Sequence, residues 1–551
     1  MMRYYFLKSG EKAQALIVAY TVIAVFMIIS ASLLSRAISE NNLALRNRLT
    51  NEAFYLAEGG IESAINAFAS AMANFQIEQD VASFSVITTY STFGGATVNS
   101  TITRLESSDH LVMEGETNVW VRNYEVVSTA THPQNSSISA TIHQIIARRL
   151  IPTFQHAVFY NDDLEILPGR DMTLSGRIHA NKDIYLDAEG GATLTIDSFY
   201  LRSAGSIYNH RKNSSDRLGG DVSIRVDKPG APQFEYMDNL DSESPNWTAE
   251  SISRWQGTVK NSVHGITKQS TPAVGSIKPT GYYANNANVV IVNDTITKDG
   301  VALTEGLDYP AETITSETVY NNREGKNIKT TTVDLKKLAG GDGGYKKPDG
   351  VTPYNNNLPT NGLLYATRDD AATTEEPGIR LKNGEVIYRN VGLTVVSNDP
   401  VYIQGNYNSS SGQEKPTAVI CDSLNLLSGN WDDANSTSGL SSRTATETTV
   451  NAAFIAGVRE TTKGPNNGNY NGGLENYPRL HEDWSGINLN IKGSFVELWN
   501  SSVATGAWQY GDPQYNAPRR SWSYNTAFNN PSNLPPFTPK AVEVQRIAWR
   551  Q

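Results

Sequence analysis

The sequence predicts an α+β protein that is mainly β. It reads as a long N-terminal helix, a small antiparallel sheet, then a parallel β-helix (solenoid) with a Trp-rich C-terminal cap. Three observations predict this. Residues 13–35 carry no charge and residues 36–75 continue without a proline. Residues 76–150 contain runs with strand character. From Phe154 onward, apolar runs of three to five residues are broken by Gly, Asn and Asp.

The helix is the first element. Ala15 to Ser35 reads ALIVAYTVIAVFMIISASLLS, 21 residues, close to the ~20 that cross a hydrocarbon core as a helix. Arg3, Lys8 and Lys12 precede it, against one acid, Glu11. That bias places the N-terminus in the cytoplasm and everything after Arg36 across an inner membrane, as a single-pass protein with its bulk in the periplasm or outside the cell. Three readings compete: a cleaved secretory signal with Ser30-Ala31-Ser32 as its small-residue site, a plain signal anchor, and a leader cut ahead of an apolar stretch that is kept. Beyond the span, Leu49, Ala53, Leu56/Ala57, Gly60, Ala64, Phe68 and Met72 recur in steps of three and four, while Arg46, Asn51, Glu58 and Glu62 lie opposite. Such spacing marks one face of a helix. A helix from residue 13 to 75 is about 95 Å long, and only about a third of it fits in a bilayer.

Two strings, the ALIV opening at Ala15–Val18 and AFYLAEGGIESAI at Ala53–Ile65, carry a resemblance. Over residues 1–75 the chain resembles the N-terminal helix of PilX-type minor pilins and related pseudopilins of the type IV pilin-like family. The resemblance implies a prepilin-type leader, residues 1–10, cut by a prepilin peptidase between Gly10 and Glu11. It implies a transmembrane and amphipathic helix over residues 11–75, and assembly with other pilin or pseudopilin subunits through it. Ala15, Leu16, Ile17, Val18, Phe26, Ala57, Glu58, Gly59 and Gly60 would be its membrane and assembly positions. One departure stands out. The family's major pilins carry a glutamate at the fifth mature position, where this chain has Ala15; in the family it pairs with a neighbouring subunit's N-terminal amine. A carboxylate in lipid is costly unless paired, and a subunit with no neighbour above it has no use for one. The departure fits a low-copy tip or initiating subunit of a type IV pilus or secretion pseudopilus, located at the cell surface. The alternative is a lone membrane-anchored protein outside any filament.

After the helix, Ala96–Arg104, Val119–Ala130 and Ser136–Arg149 read as strands of a pilin-like antiparallel region over residues 76–150. Residues 151–204 are the first part of the β-helix, with Asp163–Gly169, Met172–Gly176, Arg177–Asn181 and Asp183–Leu186 as short rungs. Residues 205–360, rich in Ser, Thr, Asn, Gly and Lys, read as a loop-rich insertion with mobile loops. Residues 361–500 form the second part, and residues 501–551, dense in Trp, Pro and Asn, form the cap. From Trp431 onward lie six of the nine tryptophans. Trp431, Trp484, Trp508 and Trp522 are candidate ligand-contact aromatics for a host surface or a polysaccharide; alternatively they close the open end of the solenoid. Residues 363–551 also resemble the C-terminal part of large, uncharacterised PilX-type bacterial proteins, which brings no ligand or activity.

The net charge of −10 gives no basic face for nucleic acid. The single Cys421 excludes an intramolecular disulfide and a Cys-based metal site, and its apolar surroundings predict an inert buried thiol. There is no G-x-S-x-G, no H-E-x-x-H and no Walker loop, and His179 and His481 read as packing or surface residues. No cofactor and no metal is expected. The acidic pairs Asp162-Asp163, Asp369-Asp370 and Asp432-Asp433 would diverge on a strand and fit turns. The expectation is a non-enzyme, with a polysaccharide-acting enzyme, which would use paired carboxylates, as the alternative.

Overall fold

The computed structural model describes residues 9–114, 117–226, 233–463, 468–506 and 508–550. The chain is a long N-terminal helix followed by a mostly β region. Helix α1 spans Ser9–Ala73. It ends where Phe75 turns to φ 58°, and the Phe75 ring stacks on Tyr282 at 3.8 Å.

The strands β1 (Ser83–Tyr90), β2 (Ala96–Arg104), β3 (His110–Glu114), β4 (Thr117–His132) and β5 (Asn135–Pro152) follow. They form an antiparallel sheet in the order β1-β2-β4-β5, with β3 on the edge of β4. The last strand of the described chain, Lys540–Arg550, completes it by pairing with β5, Val542 opposite Leu150. The expected strands are therefore present, slightly longer than read, with β1, β3 and the C-terminal strand added. Period two meets period three and four across this interface. Val98 and Ile102 of β2, Tyr124 and Val126 of β4, and Ile142 and Ile146 of β5 pack against Leu56, Ala57, Ile61, Ala64, Phe68 and Met72 of α1. Burying a side chain such as Phe68 contributes about 1.5–3 kcal/mol.

From Val158 the short runs pair in parallel. Val158–Tyr160, Ile178–Ala180, Leu201–Ser203 and Val259–Lys260 form one ladder. Leu164–Ile166, Ile184–Leu186 and Ile207–Tyr208 form a second. Met172–Ser175, Thr193–Asp197 and Asp221–Arg225 form a third. The chain supplies one strand to each ladder in succession over 158–175, again over 178–197 and again over 201–225, and Val259–Lys260 then joins the first ladder alone. Like side chains therefore stack in columns, such as Leu164, Ile184 and Ile207, all fully buried.

Two sequence expectations change here. The region 205–360 is not an insertion outside the ladders. Ile207–Tyr208, Asp221–Arg225 and Val259–Lys260 are rungs, Val289–Val292 pairs in parallel with Leu364–Thr367, and Lys326–Asp334 pairs in parallel with the strand Glu375–Gly384. Its polar residues are shared between turns and strands, among them the antiparallel hairpin Ile314–Asn321 and Lys326–Asp334. Nor is 501–551 a cap. Arg519–Tyr524 pairs in parallel with Asn488–Gly493, and Lys540–Arg550 returns to the first sheet. Instead, the helix Trp247–Trp255 packs its buried Trp247 and Trp255 beside the outermost rung, Val259–Lys260.

The ladders also reveal an order the linear reading lacks. Val289–Val292, Leu363–Thr367, Leu393–Val396, Thr417–Cys421, Ala453–Ala456 and Ser494–Val496 pair successively in parallel. The last of these then pairs with the first rung, Phe495 opposite Val158 and Glu497 opposite Tyr160. In pairing order, Val158–Tyr160 therefore lies between two series of parallel strands, one ending at Val259–Lys260 and the other at Val289–Val292. The two sections share one continuous core.

Candidate functional site

The sequence placed its candidate positions on the helix, and the structure divides them. Leu16, Ile17, Val18 and Phe26 are each more than half exposed, and every described side chain from Ala13 to Arg48 is exposed with no part of the molecule covering it, Ala15 included. At 1.5 Å per residue this bare stretch is about 54 Å long, more than the ~30 Å hydrocarbon thickness. Its polar atoms are satisfied locally: Thr21 donates from its hydroxyl to the Ile17 carbonyl at 2.8 Å, and Arg36 pairs with Glu40 at 2.9 Å where the apolar run ends. Residues 1–8 of the expected leader lie outside the described residues; Gly10 and Glu11 lie on helical backbone.

Ala57 and Gly60 behave differently. They are buried against the molecule's own sheet. A Cβ on Gly60 would come 2.4 Å from both Val98 Cγ1 and Ser128 Oγ, so glycine here lets the helix approach the sheet closely. Glu58 is exposed and Gly59 half-buried beside Tyr90. Polar ties fix the same interface: Glu52 meets His132 at 2.8 Å, and Glu62 pairs with Arg546 of the C-terminal strand.

Three of the four candidate tryptophans are core residues. Trp484 is fully buried. Trp522 packs its ring 5.0 Å from Phe495, and buried Trp431 donates from Nε1 to Asp433 at 2.8 Å. Trp508 is the least enclosed of the four. It lines a cleft of about 490 Å³ with Tyr470, Tyr510, Arg211, Arg520 and Glu475, and donates to the Tyr515 hydroxyl at 3.1 Å.

The acidic pairs do not converge. Asp433 accepts two bonds from Arg380 at 2.6 and 2.8 Å. Burial alone would raise its carboxyl, but that guanidinium outweighs burial and holds it below the ordinary range. Asp432 caps a short 3₁₀ turn through the Ala434 N–H at 3.0 Å. Asp162 pairs with Lys182 at 2.5 Å and Asp163 with Lys212 at 2.7 Å. Asp370 pairs with Lys329 at 2.8 Å, and Asp369 accepts from Asn293 at 2.7 Å.

His179 is buried, stacked on Phe159 and pushed down to about 4 by burial. His481 is buried and lies well below its ordinary value for the same reason. The buried Cys421 thiol is raised by burial. Among the described residues no three His, Cys, Asp or Glu side chains cluster as metal ligands.

Sequence reasoning missed a group of buried glutamates at the seam between the two ladder sections. Burial raises Glu165 and Glu475 to about 7 and Glu497 to about 8. Glu497 accepts from the backbone N–H of Asn161 and of Asp162, both at 3.1 Å. No local signal could have found it, because its partners lie more than 330 residues away in the chain.

No family model matches the chain, and no curated protein matches it. Among solved structures it is similar to the crystal structure of the competence-associated pilin ComZ from Thermus thermophilus, at 8% identity and a TM-score of 0.23, over 91% of this chain and 97% of that one.

Proposed function

We propose that this protein is a membrane-anchored, pilin-like subunit, a low-copy minor pilin or pseudopilin at a filament tip or initiation point. On this reading its β region is carried outside the cytoplasm for assembly or surface adhesion, and its stacked ladders form a right-handed parallel β-helix. One observation carries the proposal: a single helix is bare over residues 13–48, uncharged and apolar over the first part of that stretch to residue 35, and packed on its own sheet over residues 49–73. A helix that only anchors needs no rigid extension fused to a domain; one that must align with neighbours in and above the bilayer does. Ala15 supports the tip position, since no carboxylate meets a preceding subunit there. The bulk of residues 76–551 supports low copy number, because such a volume repeated along a shaft would collide. Prepilin peptidase and other pilin-like subunits are its expected partners. The role proposed is not catalytic, which fits the acidic pairs being tied up in ion pairs and turns.

The test is positional. Gold-labelled antibody against residues 363–551 is expected at filament ends or on the envelope, and photo-crosslinking from Ile17 and Phe26 is expected to capture other pilin-like subunits. Regular labelling along filament sides refutes the tip position. Absence of both crosslinks and filament labelling gives the lone-anchor reading instead.

A further inference from the structure

The chain as a whole is acidic, yet one cleft reverses that sign. It measures about 480 Å³ and lies where the antiparallel sheet, the first ladder section and the C-terminal return segment meet. Its lining carries Arg177, Arg202 and Arg225 and, among the described residues, one carboxylate, Asp197. That carboxylate is committed to Arg225 at 2.7 Å.

Arg177 decides the matter. It is only 8% exposed, and it donates from Nη1 to the Thr117 hydroxyl. Its Nε has no acceptor, and no acidic side chain pairs with it among the described residues. Beside it, in addition to Tyr200 and Arg202, are two histidines, His156 and His179. Both are held neutral, by burial first and by Arg177's own charge in addition. A buried cation without a counter-charge is costly, so its retention calls for an anion from elsewhere. The arginines are also pre-positioned. Arg177 and Arg202 lie 4.0 and 4.6 Å from the Tyr200 ring centroid, and Arg225 lies 4.1 Å from that of Phe199. Stacking on a ring fixes the guanidinium plane. Arg202 gives its Nη1 to the Leu201 and Thr258 carbonyls and Arg225 its Nη1 to Asp197, so it is the Arg177 edge, with its unaccepted Nε, that offers a charge-assisted bond to an oxyanion. Arg225 Nε is likewise buried without an acceptor. The wall is fixed at Gly176, at φ 93°, where a Cβ would come 2.9 Å from the Tyr524 ring.

We propose that this cleft binds an oxyanion, a carboxylate or a phosphate, carried on a sugar-sized molecule. The volume falls in the range of small-molecule sites, and the Tyr200 and Tyr524 rings offer apolar surface to the body of such a ligand. The proposal is independent of the filament reading.

The test is calorimetric titration of the full-length protein in detergent micelles with galacturonate, glucose 6-phosphate and glucose. At least one anion is expected to bind, with affinity falling as salt rises, and glucose is not; the tighter anion identifies the ligand's charged group. Arg177→Gln is expected to weaken anion binding about tenfold or more. If Arg177→Gln does not fold, the less buried Arg202→Gln, expected to give a loss of the same order, takes its place. Glucose binding as tightly as the anions, no binding by either anion, or unchanged anion affinity in a folded variant overturns the proposal.

Discussion

Replacing Glu497 by Gln should stabilise the protein at neutral and higher pH and leave it unaltered or slightly weakened near pH 5. Glu497 is fully buried where the last rung of the second ladder section meets the first rung of the first. Burial, with the neighbouring Asp162 carboxylate, raises it from 4.5 to about 8. The folded state therefore holds a proton that the unfolded chain releases above about 4.5. Between those two values folding must take up a proton, so Glu497's contribution is fully present below about pH 4.5 and is lost as pH rises toward 8. At pH 7.4 that loss is on the order of 4 kcal/mol, at 1.36 kcal/mol per pH unit. Glutamine keeps a carbonyl oxygen for the Asn161 and Asp162 N–H groups but adds buried amide donors, which cost about 1–3 kcal/mol. The net gain at pH 7.4 is then roughly 1–3 kcal/mol, a midpoint rise of a few degrees. Thermal unfolding of wild type and Glu497→Gln, in the same detergent from pH 5 to 8, measures it. Glu165, Glu475 and Glu482, each raised to about 7, move both proteins alike and largely cancel in the difference. A difference between the two midpoints that does not grow with pH would refute the reasoning.

Adjacent glycines in the helix should respond oppositely. Gly60→Ala forces a methyl into Val98 and Ser128 at 2.4 Å and is expected to cost about 1–2 kcal/mol net, overpacking exceeding the helix-propensity gain. Gly59→Ala meets only the end of the Tyr90 side chain and should be neutral or stabilising; equal midpoints for the two variants would count against this interface. Adjacent aspartates should also differ. Asp433→Asn strips Arg380 of its two-bond partner while Glu317 remains at 3.0 Å, so a loss of about 2–3 kcal/mol is expected. Asp432→Asn should cost less than about 1 kcal/mol, because asparagine also caps; denaturant unfolding of both separates them. N-terminal sequencing of the mature protein should begin at Glu11, and a start near Leu33 would indicate an ordinary signal peptidase and sink the pilin-like reading.

Elements whose signal is local are legible in the chain. The uncharged span and the recurrence from Leu49 to Met72 place one helix, and that recurrence marks the face that packs on the sheet, because a helix repeats every 3.6 residues wherever it lies. The strand Ala96–Arg104 is legible to the residue, and the run Ile184–Leu186 is legible as a short strand. The tertiary structure alone decided which strand lies beside which. A rung of three or four aliphatic residues carries nothing that names its neighbour. Closing a longer loop adds little, since its entropic cost grows only with the logarithm of its length, so Phe495 can pair with Val158 as readily as with a strand nearby in sequence. The same long-range choice carried Lys540–Arg550 back to the first sheet, buried Trp484 and Trp522, and made Glu497 a seam residue. It also gathered Arg177, Arg202 and Arg225 around one cleft, because a charge's partners, unlike a helix's period, are set by what folding brings alongside.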